Sequence, residues 1–213
     1  MTDPGCEQPA ESSEDPPERL DILAQERLYD GFFKLDQVTL RVARYDGALG
    51  APMTRLLFER GDAVAVLPYD PQTRQVVLVQ QFRYPAWVRG GPGWLWEAIA
   101  GIHDAGRTPE EIARSEAMEE AGYRLGPLRH ILTFYPSPGA CSERIYLYIA
   151  PVTPAARVAS GGGLAEHGED LCVRAFSLDE ALRMTEDGRI MDAKAIIALQ
   201  YLARHWDALV EAP

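Results

Sequence analysis

Residues 101–123 read GIHDAGRTPEEIARSEAMEEAGY, and this stretch decides the fold. Thr108, followed by Pro109 and then by Glu111 three residues after the threonine, is a typical helix start with a capping side chain, a first-turn proline and a reciprocal glutamate. Gly122 is typical of a helix end, because glycine readily adopts the left-handed conformation found there. The stretch therefore predicts a helix from Pro109 to about Ala121.

One face of this helix carries three carboxylates. Glu116, Glu119 and Glu120 fall within an arc of about 100° on a helix that turns 100° per residue. Small residues occupy the adjoining face and would allow close packing on a sheet: Ala113, Ala117 and Ala121. Clustered carboxylate oxygens are the ligands that Mg²⁺ or Mn²⁺ prefers, but a solvated acidic helix face has the same pattern. From the helix alone both interpretations remain open.

Strand patterns precede the helix. The segments AVAVLPY (63–69) and QVVLVQQF (75–82) flank Asp70-Pro71-Gln72-Thr73, which has the composition of a turn, so a β-hairpin is predicted. Two further strands are predicted within residues 27–47, and ordered structure is expected to begin near Arg27. The strands and the carboxylate-bearing helix together indicate a mixed rather than an all-helical domain.

More elements follow the helix. Strands are predicted at ERIYLYIAPV (143–152) and LCVRAF (171–176), and Ser177 is typical of the cap of a short helix that ends near Gly188. Apolar residues at helical spacing between positions 196 and 209 predict a C-terminal helix. Strands on both sides of one central helix, with helices at the end, predict an α+β fold built as an α/β/α sandwich rather than a doubly wound parallel sheet.

Composition limits the classes of partner. The chain has 213 residues and a net charge of −11, which argues against non-specific nucleic-acid binding and against anionic membranes. No apolar run approaches the ~20 residues of a membrane span. Three widely spaced cysteines fit a reducing compartment, so a cytoplasmic location is expected. The acidic start, residues 1–22, is expected to be a disordered leader.

The stretch at 101–123 resembles the Nudix box, a pattern that runs from Gly101 through Glu116, Glu119 and Glu120 to Gly122. The resemblance continues through RLYDGFFKLD, FERGDAVAVLPYDP, VVLVQQFR, SPGACSER, GLAEHGED and DAKAIIALQYL, and these segments are similar to the bacterial ADP-ribose pyrophosphatase branch of the Nudix hydrolases. It implies a Nudix fold with an N-terminal β-strand extension. We expect this extension at residues 23–60 and the Nudix hydrolase domain at residues 61–213.

The resemblance also implies a metal site for Mg²⁺ or Mn²⁺. Glu116 and Glu120 would be the principal ligands, Glu119 would assist, and Glu120 would belong to the catalytic group as well. The backbone carbonyl of Ala100 and the carboxylate of Glu169 would complete the set.

Substrate-binding residues are implied in the same way. Arg55, Arg60 and Arg83 match positions that bind the substrate, and guanidinium groups suit phosphate oxygens. Phe32 and Phe33 match aromatic positions that approach the adenine from the other subunit of a homodimer. Ser137, Gly139 and Glu143 match a turn that lines the terminal-ribose side, and Ile102 is a further expected substrate-binding residue.

Two positions of the box depart from the family pattern. Arg107 stands where the family has glutamate, and Ser115 stands where it has arginine. The loss of both partners suggests that the pair was replaced as a unit. Arg107 restores positive charge at the helix entrance, where pairing with Glu110 or Glu111 is an alternative.

The catalytic base is expected in the acidic loop. His167 aligns with the family's glutamate base, whereas Glu166 lies one residue earlier. We expect Glu166 to be the base, because an imidazole near cations tends to lose its proton affinity, with His167 as the alternative.

The expected function is metal-dependent hydrolysis of ADP-ribose to AMP and ribose 5-phosphate. Two alternatives remain: cleavage of another nucleoside diphosphate sugar, such as GDP-mannose or UDP-glucose, and a non-catalytic Nudix domain that senses a nucleotide. The four acidic residues at 116, 119, 120 and 169 favour catalysis over sensing.

Overall fold

The computed structural model describes residues 16–164 and 168–210. The chain divides into two units, one formed by Met1–Arg60 with Ser137–Ser142 and the other by Gly61–Pro136 with Glu143–Pro213. Most of the expected leader, residues 1–15, lies outside the described residues.

The first unit contains an antiparallel sheet of three strands. The strands are β1 (Leu20–Asp30), β2 (Lys34–Val42) and β3 (Met53–Glu59), in the order β1-β2-β3. The two strands predicted near residues 27–47 are confirmed, but ordered structure starts earlier than expected, because β1 begins at Leu20. Its first residues are held by backbone pairing, Leu20 opposite Val42, which hydrophobic patterning does not reveal.

The second unit contains a mixed sheet of seven strands: β4 (Ala63–Asp70), β5 (Gln75–Phe82), β6 (Trp94–Glu97), β7 (Ile99–Ile102), β8 (Arg129–Phe134), β9 (Ile145–Pro151) and β10 (Cys172–Ser177). The order is β10-β5-β4-β9-β8, with β6 paired to β5 and β7 paired to β4. Strands β4 and β9 are parallel, whereas the other paired neighbours are antiparallel. The sheet is therefore not doubly wound.

The predicted hairpin of β4 and β5 is present and opens soon after its turn. Asp70 Oδ1 accepts the backbone N–H of Gln72 at 2.8 Å, and the strands pair at Tyr69 with Val76. Beyond that point β5 pairs with β6, and β4 pairs with β7. The opening of the hairpin thus places residues 94–102 inside the sheet.

The described part of the second unit also contains four α-helices and a short 3-10 helix at Pro154–Ala156. The α-helices are α1 (Tyr84–Val88), α2 (Pro109–Ala121), α3 (Leu178–Glu186) and α4 (Ala193–Val210). Val64 and Val66 on β4 belong to the same buried cluster as Ile112 of α2. The alternate residues Ala65 and Leu67 belong to the cluster that includes α3 and α4. Because successive side chains of a strand point to opposite faces, α2 covers one face of the sheet, whereas α3 and α4 cover the other. The predicted α/β/α sandwich is confirmed.

Among residues 16–164 and 168–210, no helix has the length and apolarity needed to cross a bilayer.

Candidate active site

Local sequence signals fix both ends of α2. The Thr108 side chain accepts the N–H of Glu111 at 3.3 Å, and the Glu111 carboxylate accepts the N–H of Thr108 at 2.8 Å. Gly122 ends the helix with φ of 73°. These contacts confirm the predicted bounds and thereby fix which residues of α2 face the sheet.

Glu120 is buried at the junction of α2 and β7. It is 5% exposed, and its Oε2 accepts the backbone N–H of Ala100 at 3.3 Å. Burial, followed by the charge of Glu116, raises the pKa of Glu120 to about 8, although the Ala100 N–H acts in the opposite direction. A carboxylate that is costly to ionise in this way is suited to a nearby cation.

Glu116 lies against the backbone of Gly101. A Cβ added at Gly101 would be 2.1 Å from Glu116 Oε1, so any other residue there would push the Glu116 side chain out of this position. Burial, with smaller contributions from Glu119 and Glu169, raises the pKa of Glu116 to about 7. The glycine that begins the box therefore makes space for the box's first helical glutamate.

The loop after residue 158 packs on the C-terminal end of α2. The N–H groups of Gly162 and Gly163 donate to the carbonyls of Glu120 and Glu119 at 2.8 and 3.2 Å. These bonds satisfy carbonyls that a helix end leaves unpaired. Farther along, Glu169 Oε2 accepts the N–H of Leu164 at 2.8 Å. These contacts bring Glu169 close enough to raise the pKa of both Glu116 and Glu120. The backbone hydrogen bonds of Gly162 and Gly163 could not be predicted from the sequence pattern.

The acidic side chains share a neighbourhood without converging on one point. In the described part of the chain, no three His, Cys, Asp or Glu side chains stand in an arrangement ready to hold a metal ion. Glu116 faces Gly101, Glu120 faces Ala100 and Glu169 faces Leu164. Side-chain rotations would be needed to direct these oxygens at one cation. Glu119 is exposed on the same helix.

An ion pair between a half-exposed arginine and a buried glutamate lies beside this cluster. Arg83 donates to both carboxylate oxygens of Glu97 at 2.8 Å each, through Nε and Nη2. Lys194 Nζ lies 3.7 Å from Glu97 and 2.7 Å from Asp192, whose other oxygen accepts the N–H of Ala98 at 3.2 Å. The sequence analysis identified Arg83 but missed Glu97, Lys194 and Asp192. The available signal was a charged Glu97 within the apolar segment WLWEAIAG.

Arg107 has partners other than those expected. Its Nε and Nη2 bind Asp104, and its Nη1 donates to Ser115 Oγ at 3.0 Å. The expected alternative pairing with Glu110 or Glu111 is wrong. Glu111 is occupied by the helix cap, and Glu110 accepts the hydroxyl of Tyr148 at 3.0 Å.

Six of the expected substrate residues lie in the first unit. Phe32 is 82% exposed, whereas Phe33 packs edge-on against Phe58 at 5.4 Å and lies beneath the Arg60 guanidinium at 5.3 Å. Arg55 is exposed on β3. Ser137 and Gly139 belong to an exposed turn in which the Ser137 carbonyl accepts the N–H of Cys141 at 3.1 Å.

The other expected residues belong to the second unit. Ile102 is exposed at the end of β7, and Glu143 is buried just before β9. The two candidate bases, Glu166 and His167, lie outside the described residues.

Comparison with known proteins agrees with this geometry. The NUDIX domain model matches residues 59–197. An ADP-ribose pyrophosphatase of Escherichia coli (strain K12) is 40% identical over 191 residues, which cover 89% of this chain and 90% of the relative. A GDP-mannose pyrophosphatase of Enterobacter sp. (strain 638) is 37% identical over 185 residues, 86% of this chain and 95% of the relative.

A solved structure described as an ADP compounds hydrolase has a similar fold. Its TM-score is 0.69 at 19% sequence identity, and the match covers 92% of this chain and 98% of that one. The family match spans more than half of the chain, and both relatives match it over most of their length. This chain therefore belongs to the NUDIX domain family.

Proposed function

We propose that this Nudix pyrophosphatase hydrolyses ADP-ribose to AMP and ribose 5-phosphate with the help of Mg²⁺ or Mn²⁺. The observation that carries the proposal is the cluster formed by Glu116, Glu120 and Glu169 around the strand backbone at Ala100, in a chain 40% identical to an ADP-ribose pyrophosphatase.

The donor set fits a hard divalent cation. Glu116, Glu120 and Glu169 supply carboxylate oxygens, with Glu119 assisting and the carbonyl of Ala100 as a neutral donor, and oxygen ligands of this kind suit Mg²⁺. The raised pKa values of Glu116 and Glu120 mean that ionisation without a neighbouring cation is costly. When bound, the cation would neutralise charge on the pyrophosphate and lower the pKa of an attacking water.

Arginines would bind the substrate's phosphates. The Nε and Nη2 atoms of Arg83 are taken by Glu97, so Nη1 would meet a phosphate oxygen while the ion pair fixes the plane of the guanidinium. Arg55 and Arg60 are proposed to bind phosphate oxygens as well. The other proposed substrate contacts are Phe32, Phe33, Ile102, Ser137, Gly139 and Glu143.

The proton of the attacking water would be taken by Glu166. A carboxylate remains ionised close to a divalent cation, whereas an imidazole there becomes a weaker base. His167 is the alternative base.

We further propose a homodimer whose sites combine residues of both subunits. The sheet of β1, β2 and β3 and the turn between β1 and β2 carry exposed apolar side chains, including Ile22 and Tyr29 on β1 and Phe32 in the turn. A large exposed apolar surface is typical of an interaction site. A second copy of the chain would cover it.

We also propose a location in the cytoplasm, which is consistent with free thiols at Cys141 and Cys172.

A second candidate substrate is GDP-mannose, because a GDP-mannose pyrophosphatase is 37% identical over 86% of the chain. UDP-glucose and a non-catalytic sensing role are weaker alternatives. The partly buried Glu116 and the buried Glu120 repel each other, and this argues against sensing, because a binding domain has no need to bear the cost of such a cluster.

A panel of nucleotide sugars tests the proposal. Purified protein with Mg²⁺ or Mn²⁺ is given ADP-ribose, GDP-mannose and UDP-glucose, and chromatography measures AMP, GMP and UMP. The highest kcat/KM is expected for ADP-ribose. A higher value for another sugar nucleotide would replace the substrate, and no product with either metal would remove the enzymatic function.

A further inference from the structure

The box position that carries arginine in the resembling family is Ser115 here, and a guanidinium reaches it from outside the helix. Arg107 Nη1 donates to Ser115 Oγ at 3.0 Å. The same hydroxyl donates to the carbonyl of Ile112 at 3.1 Å, so its lone pairs remain available to accept the arginine. The guanidinium of Arg107 therefore lies next to position 115 of α2, although Arg107 belongs to the loop before the helix.

The loop holds this guanidinium in a fixed orientation. Asp104 accepts from Arg107 Nη2 at 2.7 Å and from Nε at 3.1 Å, which is the bidentate geometry that defines the plane of a guanidinium. The carbonyl of Arg107 is bound by the ring of His103 at 3.1 Å, and the His103 N–H donates to the Asp62 carbonyl at 2.9 Å. Hydrogen bonds thus hold both the side chain and the backbone carbonyl of Arg107 in the loop between β7 and α2.

The position of the guanidinium relates it to the acidic cluster. Ser115 immediately precedes Glu116 and lies one helical turn before Glu119. Arg107 is close enough to Glu116 and Glu119 for its positive charge to interact with both carboxylates. The interaction is favourable and acts on carboxylates that otherwise repel one another.

We propose that Arg107 is a positioning residue that, held by Asp104 and Ser115, orients Glu116 and Glu119 from the loop in place of an arginine on the helix. With Arg107 and Ser115 in place of the family's glutamate and arginine, the positive charge moves from the helix to the loop but remains at the same contact. This inference rests on the proposed function for its kinetic test, whereas its stability test needs no substrate.

An exchange of side chains tests the kinetic consequence. Arg107→Glu adds a carboxylate beside Asp104 and Glu116, and Ser115→Arg sets two guanidinium groups against each other. Each single variant should lower kcat by roughly ten- to a hundredfold, the cost of misplaced reacting groups, with KM for ADP-ribose unchanged. The double variant Arg107→Glu/Ser115→Arg rebuilds an ion pair across the same contact and should recover most of the lost kcat.

A double-mutant cycle without metal tests the coupling itself. Arg107→Gln is made in the wild type and in a Glu116→Gln background, and Tm is measured in chelator. The variant should lower Tm by more in the wild type than in the Glu116→Gln background, because its contacts with Asp104 and Ser115 are lost in both whereas the coupling to Glu116 is lost only in the first. Arg189→Gln is the matched control, since Arg189 also binds an aspartate, Asp187, at 2.7 Å; its effect should be the same in both backgrounds.

The outcomes are separable. If the effects of Arg107→Gln and Glu116→Gln on Tm are additive, Arg107 only stabilises its own loop, and the proposal is overturned. A rise in KM with unchanged kcat would make it a substrate contact, and failure of the double variant to recover kcat would equally overturn the proposal. If the wild type does not cleave ADP-ribose, the proposed substrate fails, but the cycle still decides whether Arg107 and Glu116 are coupled.

Discussion

The backbone N–H of Ala100 donates to Glu120 Oε2 at 3.3 Å, which joins the strand that enters the box to the most buried glutamate of α2. Since Glu120 lies in a site where its pKa is raised to about 8, Glu120→Gln should raise the metal-free Tm at pH 8. The glutamine oxygen still accepts the Ala100 N–H but carries no charge. At pH 5 the two Tm values should converge, because the wild-type carboxyl group is then protonated as well.

The same substitution should remove most activity. Loss of several kcal/mol of transition-state stabilisation by a metal corresponds to roughly 10²–10³-fold in kcat at 1.36 kcal/mol per factor of ten. Glu110→Gln on the same helix is the control, since it keeps the acceptor for Tyr148 and should retain turnover. Wild-type kcat in Glu120→Gln would exclude Glu120 from the site.

The stability of the metal-free protein should depend on pH in a defined direction. The pKa values of Glu116 and Glu120 are raised from 4.5 to about 7 and about 8. Between pH 4.5 and 8 the unfolded chain releases protons that the folded protein retains, so the free energy of unfolding falls as pH rises. Urea unfolding in chelator at pH 5 and pH 8 measures the difference.

A bound divalent metal should oppose the fall in the free energy of unfolding as pH rises. At a hundredfold excess over Kd, binding to the folded state adds about 2.7 kcal/mol, and more bound metal is expected at pH 8 because protons compete less for the ligands. A metal-free free energy of unfolding that rises between pH 5 and pH 8, or one that stays flat, contradicts the burial of these glutamates as the dominant cause.

Local signals were enough to predict α2, since its caps involve residues three positions apart, as with Thr108 and Glu111. Long-range contacts were not predictable. Arg83, Glu97 and Lys194 meet only because β5 and β6 pair and α4 begins beside them. Strand β8 was not predicted, because its pairing is shifted between His130 and Leu132 and its alternation is weak.

The Arg83–Glu97 pair predicts a difference between arginine and lysine. Arg83→Lys keeps the charge but cannot form two parallel bonds to the buried Glu97. Thermal unfolding should show a lower Tm. KM for ADP-ribose should rise, because the ammonium group of the lysine is no longer held in one orientation. Arg89→Lys, exposed in the same segment, should change neither value, and an equal change in both variants would remove the special role of the ion pair.

The proposed shared site predicts complementation between two defective chains. Phe32→Ala should raise KM, because 82% of this side chain is exposed and is available to a second copy. Glu120→Gln chains keep Phe32 but lack the carboxylate. When the two variants are unfolded together and refolded, mixed dimers should contain one complete site.

Activity of the refolded mixture above the sum of the parents supports the shared site, and light scattering should show a dimer. Tyr45→Ala is the control, since Tyr45 is also exposed, at 61%, outside the segment that the proposal assigns to the partner. A fully active monomer at micromolar concentration would end the dimer proposal.

The acidic loop predicts unequal roles for two adjacent residues. Leu164 and Glu169 are joined by two hydrogen bonds, from Leu164 N–H to Glu169 Oε2 at 2.8 Å and from Glu169 N–H to the Leu164 carbonyl at 3.3 Å. Near a divalent cation the carboxylate stays ionised, whereas the imidazole loses proton affinity. Glu166→Gln should therefore lower kcat by roughly 10²–10⁴, and His167→Ala should cost less than that lower limit. The reverse order of effects would make His167 the base, and two small effects would assign proton removal to a box glutamate or to bulk water.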